Sequence, residues 1–464
     1  MPPDPAPTPD SPRGLNEFPR LRLREGASEL LELPWERPLD DWSSDQIDEA
    51  TGMRFRELPV GPSRHLVRFL VSARRTYALK EEPSMVAGRE FEVLRHLETL
   101  GLPAVHAVGI ADAPERASAI LVTEYLDFSI QYRRLLMRFP LGPGPYRDRL
   151  LDAMAWLLVD LHRAGVYWGD CSLANTLFRR DGDKIQAFLV DAETSAIHPA
   201  LSDGQRGYDL DILVENVAFG LADLGAMQGR PDASDDAVDA AETVRARYAA
   251  IWDELHLEPD ISPDDRHAVR ARIRRLNELG FAVDEISLEP AAGRQDVVRL
   301  KVAVANRRFH ARELERLTGL AALEGQGQLL LNDLREYRAW LEYFDHRAVD
   351  EREGAERWLR EVLEPSLTVL VPAIGPTRDA LQAYCDVLEQ KWILSELVGK
   401  DVGLQAAIDS YLGLGAPAPE SDGEAGQPVA LDVDWSTGWE DDLEQAVDED
   451  LSSAAEEPHE DPRP

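Results

Sequence analysis

The sequence predicts a two-lobed α+β fold: a β-rich N-lobe, a helical C-lobe, then a mainly helical C-terminal domain and a disordered acidic tail. Three observations carry that expectation. From about residue 55 to 126 the pattern reads strand, strand, strand, helix, strand, strand. From 146 to 255 it turns helical, interrupted by two short apolar strands around the turn "DGDK". Beyond 260, one more strand pair leads into long amphipathic helices.

The elements follow in chain order. Residues 1–19 are proline-rich, which predicts a flexible terminus. Residues 20–126 are assigned to an N-terminal extension and the N-lobe. Here "RFRELPV", "HLVRFLV" and "RTYALKE" are β-branched and aromatic runs separated by "GPSR" and "SARR". A helix over 84–100 sets Phe91, Leu94 and Leu97 on one face and stops at Gly101. The strands "AVHAVGI" and "SAILVTEYL" close this half. The C-lobe, 127–255, opens with a helix over 146–164 carrying Leu150, Met154, Leu157, Leu158 and Leu161 at helical spacing. The strands "NTLFRR" and "IQAFLVD" follow, then helices near 208 and 236. Residues 260–414 read as a separate, mainly helical domain with a short β-hairpin ("FAVDEISLEP", "DVVRLKVAVA"). One of its helices holds Leu330, Leu334, Tyr337, Leu341 and Phe344, another Leu381, Tyr384, Leu388 and Trp392. Residues 415–464 hold 16 acidic residues against one Arg, the signature of a solvated, disordered tail. Its "VALDVDWSTGWEDDLEQAV" stretch is either plain tail or a docking motif for a protein partner, since Trp is a common interface anchor.

Composition narrows the function classes. The 464 residues carry a net charge of −36, which argues against nucleic acid as the main partner, while 44% hydrophobic content supports sizeable cores. Only Cys171 and Cys385 are present, and no signal peptide or apolar run of the ~20 residues a membrane span needs is visible, so a cytoplasmic location is expected.

The chemistry rests on residues that are ordinary one by one. Phosphoryl transfer needs a cation to hold phosphates, an acid to hold that cation, oxygen ligands for Mg²⁺, and a carboxylate to take the acceptor's proton. Lys80 ends the third strand. Most strand-end lysines are simply solvated, but Glu90 lies in the next helix, placed to reach back to it. Glu92 points about 200° around that helix. Thr123 to Leu126 end the fifth strand, either as plain core strand or as an inter-lobe hinge, in which Glu124 and Leu126 would offer backbone to an adenine edge. In "GVYWGDCSLANTLF", Asp170 and Asn175 form D-x-x-x-x-N, a pair that alone usually means turns or caps. Asp191 ends the apolar run "QAFLVD", so that a strand hairpin separates it from Asn175.

In that order, with those elements between them, these residues resemble the protein-kinase-like superfamily over about residues 50–255. "LHRAGVYWGDCSLANTLF…FLVDAET" looks closest to the lipopolysaccharide (Kdo/WaaP-type) and small-molecule kinase branches. The whole chain also resembles the uncharacterised bacterial family called domain of unknown function 4032. The resemblance implies ATP between two lobes, Lys80 paired with Glu90 on its phosphates, Asp170 as catalytic base, and Asn175 with Asp191 as Mg²⁺ ligands. Asp209 or Asp211 would brace the catalytic loop. The departures point to substrate class. Ser172 stands where protein serine/threonine kinases carry Lys. Asp191-Ala192-Glu193 replaces Asp-Phe-Gly and is similar to choline and antibiotic phosphotransferases, where the second acid helps bind metal. Trp168 replaces the usual His, and Gly61 is the only glycine of the phosphate loop, where Arg64 and His65 are either substitute phosphate donors or plain surface residues. His162 is read as a packing residue and Cys171 as an apolar filler. Together these features imply a kinase acting on a hydroxyl of a sugar, lipid-linked glycan or other small molecule. The alternative is a pseudokinase that holds nucleotide or a protein partner, and a protein kinase is a third reading.

Overall fold

A computed structural model describes residues 20–58, 64–138, 142–230, 233–290 and 297–417. The expected flexible terminus (1–19), Gly61 and nearly all of the acidic tail, including Trp435 and Trp439, lie outside these residues.

The first lobe is an antiparallel sheet of β1 (Arg20–Leu23), β2 (Arg54–Arg56), β3 (Leu66–Val71), β4 (Thr76–Pro83), β5 (Ala107–Ala113) and β6 (Ser118–Glu124), in the order β1-β5-β6-β4-β3-β2. Helices α1 (Ser44–Thr51) and α2 (Ser84–Thr99) complete it. The expected alternation of elements is present from β2 to β6. The edge strand β1 is an addition: four residues alternating Arg and Leu are too short to register as a pattern. β5 begins at Ala107, later than the apolar run "AVHAVGI", because the run's start is used elsewhere. Val105 N–H donates to Leu189 O at 3.0 Å, and Leu189 N–H to Pro103 O at 3.0 Å, which ties the two lobes together.

Because successive strand side chains alternate, β4 presents Tyr77, Leu79 and Glu81 on one face and Ala78, Lys80 and Glu82 on the other. The N-terminal extension covers the first face, where Leu30, Trp35, Leu39 and Trp42 form a core with Leu70, Tyr77, Leu79 and Val122. That cover leaves the second face to α2 and the inter-lobe cleft.

The second lobe contains β7 (Ile130–Gln131), α3 (Tyr132–Arg138), α4 (Pro145–Arg163), β8 (Val166–Tyr167), the hairpin β9 (Thr176–Asp181) and β10 (Lys184–Leu189), β11 (Ala196–Ile197), α5 (Asp203–Met227) and α6 (Ala233–Leu255). The five apolar residues predicted along α4 are all buried. Next come β12 (Asp260–Ile261), α7 (Arg266–Glu278), the hairpin β13 (Phe281–Pro290) and β14 (Val298–Arg307), α8 (Phe309–Thr318), α9 (Glu324–Asp345) and α10 (Glu351–Trp358). A π turn at Leu359–Leu363 leads into α11 (Glu364–Ile374), followed by α12 (Ala380–Val398) and α13 (Leu404–Gly413).

The boundary expected between 255 and 260 is not a break in packing. Leu276 and Phe281 belong to the same core as Leu157, Leu161 and Tyr248 of the second lobe. A distinct core starts only with Leu314 and is built from α8 to α13. Those helices also grip the turn of the β9–β10 hairpin. Gly182 N–H donates to Gln382 Oε1 and Gln382 Nε2 to Gly182 O, both at 2.9 Å, while Gln326 N–H donates to Asp181 Oδ1 at 2.8 Å. The approach is close enough that a Cβ on Gly325 would lie 2.1 Å from Asp181 O. At the end of β14, adjacent residues face opposite lobes. Asn306 Nδ2 donates to Leu100 O behind α2, and Arg307 Nη2 donates to Gln186 Oε1 of β10 at 2.8 Å.

Candidate active site

A cleft of about 360 Å³ opens between the lobes on the Lys80 face of the sheet. Lys80, Glu90, Glu124, Leu126, Asp170, Asn175, Asp191 and Glu193 all line it. Val67 and Ala78 above and Leu177 and Val190 below give it apolar walls.

Lys80 Nζ is the centre of charge. Glu90 Oε2 lies 2.8 Å away, Glu82 Oε2 2.9 Å and Asp191 Oδ1 3.1 Å. Burial alone would pull the Lys80 pKa down, but the Glu90, Asp191 and Glu82 carboxylates more than reverse this and hold the ammonium protonated above its ordinary range. Glu90 is pushed up by its burial and by Asp191, against the pull of Lys80. The pair is thus a buried lysinium crowded by carboxylates. Glu90 Oε1 also accepts the Ala192 N–H at 3.3 Å, which fixes the segment after Asp191 to α2. Glu92 faces outward and pairs with Arg22 instead.

The loop from Trp168 to Asn175 is held from three sides. Asp209, fully buried, accepts the Trp168 N–H at 2.7 Å on one oxygen and the Gly169 N–H at 2.8 Å on the other. Asp211 is not the brace: it pairs with Arg245 at the surface. Gly169 has φ +83°, and a Cβ there would lie 3.0 Å from Thr194 O, so the residue before Asp170 must be glycine. Asn216 Nδ2 donates to Cys171 O at 2.8 Å. Ser172 Oγ accepts the Asn175 N–H at 3.2 Å, an ST turn that sets the Asn. Asn175 Nδ2 then donates to Asp170 Oδ2 at 3.0 Å, leaving its own Oδ1 as a hard oxygen donor toward the cleft. Asp191 follows β10 and accepts the Glu193 N–H on Oδ1 at 3.2 Å.

His162 is a packing residue: its Nε2 meets Asp209 Oδ2 at 3.2 Å and its Nδ1 the Tyr248 hydroxyl at 2.7 Å. Burial lowers its pKa, so the ring is held neutral and completes the brace. Trp168 is buried, filling the space beneath the loop, and burial pushes the Cys171 thiol up, as befits an inert filler. His65, offered by the sequence as a phosphate donor, turns to Glu193, with Nε2 3.1 Å from Oε2. At the hinge, Leu126 O accepts the Ser129 hydroxyl at 2.7 Å.

Sequence reasoning missed Glu82, Asn216, Gln131 and Arg134. Glu82 had a signal, since it stands two residues after Lys80 and so on the same strand face. Gln131 and Arg134 line the cleft from β7 and α3 and carry no pattern of their own.

Two stretches of the chain match known families. Residues 71–226 match the lipopolysaccharide kinase (Kdo/WaaP) family. Residues 250–414 match the domain of unknown function DUF4032. The chain therefore joins a Kdo/WaaP kinase-like region to a DUF4032 region. Lipopolysaccharide core heptose(I) kinase WaaP of Pseudomonas aeruginosa is 26% identical over 152 residues, 31% of this chain and 55% of that protein. The match thus spans about half of that curated relative. A solved structure of WaaP in complex with acyl carrier protein aligns over 56% of this chain and 98% of that chain, at 19% identity and a TM-score of 0.33. The kinase-like region spans β4 to α5, the elements that carry every cleft residue from Lys80 to Glu193. Among the described residues no helix is long and apolar enough to cross a membrane.

Proposed function

We propose that the cleft is the site of an ATP- and Mg²⁺-dependent phosphotransferase that moves the γ-phosphoryl group to a hydroxyl of a sugar, a lipid-linked glycan or another small molecule. The observation that carries this reading is the convergence of the Lys80–Glu90 pair, Asp170, Asn175 and Asp191 on one apolar-walled cleft. The donor set fits the cation: a carboxylate from Asp191 and an amide oxygen from Asn175 are the hard oxygens Mg²⁺ takes. When bound, Mg²⁺ supplies neutralisation of the phosphate charge. Lys80 would hold the α and β phosphates, with Glu90 fixing its ammonium. The backbone at Glu124 and Leu126 would take the adenine edge, between the apolar walls. Asp170, oriented by Asn175, would accept the proton of the attacking hydroxyl as that oxygen bonds to phosphorus and the bond to the leaving ADP oxygen breaks. Ser172 adds no cation beside the catalytic carboxylate, and Gln131 and Arg134 furnish polar lining suited to a hydroxyl-rich acceptor.

The test is Mg-ATP binding and turnover of the full chain, of Asp170→Ala and of Asp191→Ala, against a panel of sugars and glycans. Binding by the wild type, lost in Asp191→Ala, with acceptor phosphorylation lost in Asp170→Ala, supports the reading. Mg-ATP binding without phosphorylation of any acceptor would favour the pseudokinase alternative, and no binding at all would overturn both.

A further inference from the structure

We propose that His65, Glu82 and Glu193 form a binding site for a divalent first-row transition ion, separate from the Asn175–Asp191 pair. Among the described residues these three bring one ligand atom each to within 4.8 Å of one another. His65 Nε2 and Glu193 Oε2 are 3.1 Å apart. Two cis ligands on an ion with bonds of ~2.1 Å are separated by about 3.0 Å in an octahedron and about 3.4 Å in a tetrahedron. That edge is already set, and Glu82 has roughly 1–2 Å to close, within the swing of a Glu side chain.

Glu82 is the observation that points to a ligand. Its side chain is wholly buried, and among the described residues its Oε1 has no hydrogen-bond partner. A buried carboxylate oxygen without a donor is costly and calls for a missing proton donor or cation. Lys80 does not fill that need, because its one ammonium is divided among Glu82, Glu90 and Asp191. Three carboxylates thus press on one lysine, and Glu193 adds a fourth acid beside His65. One imidazole with two carboxylates suits Mn²⁺, Fe²⁺ or Zn²⁺ better than Mg²⁺, which avoids nitrogen ligands.

The ligands come from three places: the residue before β3, the end of β4, and the loop after Asp191. An ion there would strap the strands above the phosphate position to the segment carrying the Mg²⁺ ligand. The site is defined without nucleotide, so it stands or falls apart from the phosphotransferase reading.

The test uses the chelator-treated full chain without nucleotide, titrated with Mn²⁺ and read by the electron paramagnetic resonance signal of free Mn²⁺, with a parallel Zn²⁺ titration by calorimetry. One tight site is expected for at least one of the two ions. Affinity should fall at least tenfold in Glu82→Gln and in His65→Ala and be unchanged in Asn175→Ala. His65 is partly exposed, so His65→Ala keeps the test decisive if Glu82→Gln melts below the wild type. Absence of binding of either ion to the wild type, or binding lost in Asn175→Ala and kept in His65→Ala, overturns the proposal.

Discussion

At the scale of single residues, the site is made of side chains whose meaning depends on partners far away in sequence. Lys80 and Glu90 are ten residues apart, yet the pair matters only because Asp191 joins it across the cleft. Asp170→Asn should cut acceptor phosphorylation by about 10²–10⁴-fold while leaving nucleotide affinity nearly unchanged, measured by kinetics and calorimetry; an equal loss of both would remove the assigned role. His162 supplies a pH prediction. Its pKa is below the usual 6.5 in the folded chain, so at mildly acidic pH the unfolded chain binds more protons than the native one. Stability therefore rises with pH through that window and is lost as pH falls below about 6.5. Melting curves from pH 5 to 8 should show this slope in the wild type and a flatter one in His162→Gln. The brace residue Asp209 was legible in sequence only as one of two neighbours, because Asp209 and Asp211 fall on different faces of α5 and nothing local says which face meets the loop.

At the scale of elements, periodicity revealed most of what positions the site. The helix from 84, the α4 stripe and the β9–β10 hairpin all lie where apolar spacing placed them, because each buries one continuous face. What periodicity could not reveal is pairing with partners that are distant in the chain. β1 is an edge strand of four residues whose order comes from pairing with β5, and the 3₁₀ turns at Ser28–Glu32 and Leu39–Asp41 are held by docking on the sheet. Tertiary packing at Gly325 can be probed directly. Gly325→Ala places a Cβ against the Asp181 carbonyl, which cannot swing away as a side chain could. We expect a loss of about 1–3 kcal/mol, seen as a lower melting temperature; an unchanged melting temperature would mean the helices release the hairpin turn freely.

At the scale of the whole molecule, the DUF4032 region is continuous with the kinase-like region. A chain ending after Leu255 would leave α4 without Phe281, whose ring packs beside Trp156 at a centroid distance of 5.9 Å. Such a truncation should be aggregation-prone and melt without cooperativity, while the full chain melts cooperatively; a soluble, cooperative fragment would contradict the shared core. Arg307 adds a second probe. Asp160 is buried, and its nearest cation is Arg307, with Nε 3.6 Å from Oδ2. Arg307→Ala should cost about 3 kcal/mol and lower the melting temperature by several degrees, because it strands a buried carboxylate. None of this was legible in the sequence, where a change of pattern near 260 reads as a domain boundary. A change of pattern marks a change of secondary structure, and only burial reveals whether a core stops there.

The β9–β10 hairpin, finally, has its length fixed at both ends. Its open end carries Asn175 and leads to Asp191, while its turn is gripped by Gln326 and Gln382. One residue inserted in either strand would reverse the pleat beyond it and move one end out of register. Related sequences should therefore hold the distance from Asn175 to Asp191 constant, a constraint that alignment can test without any assay.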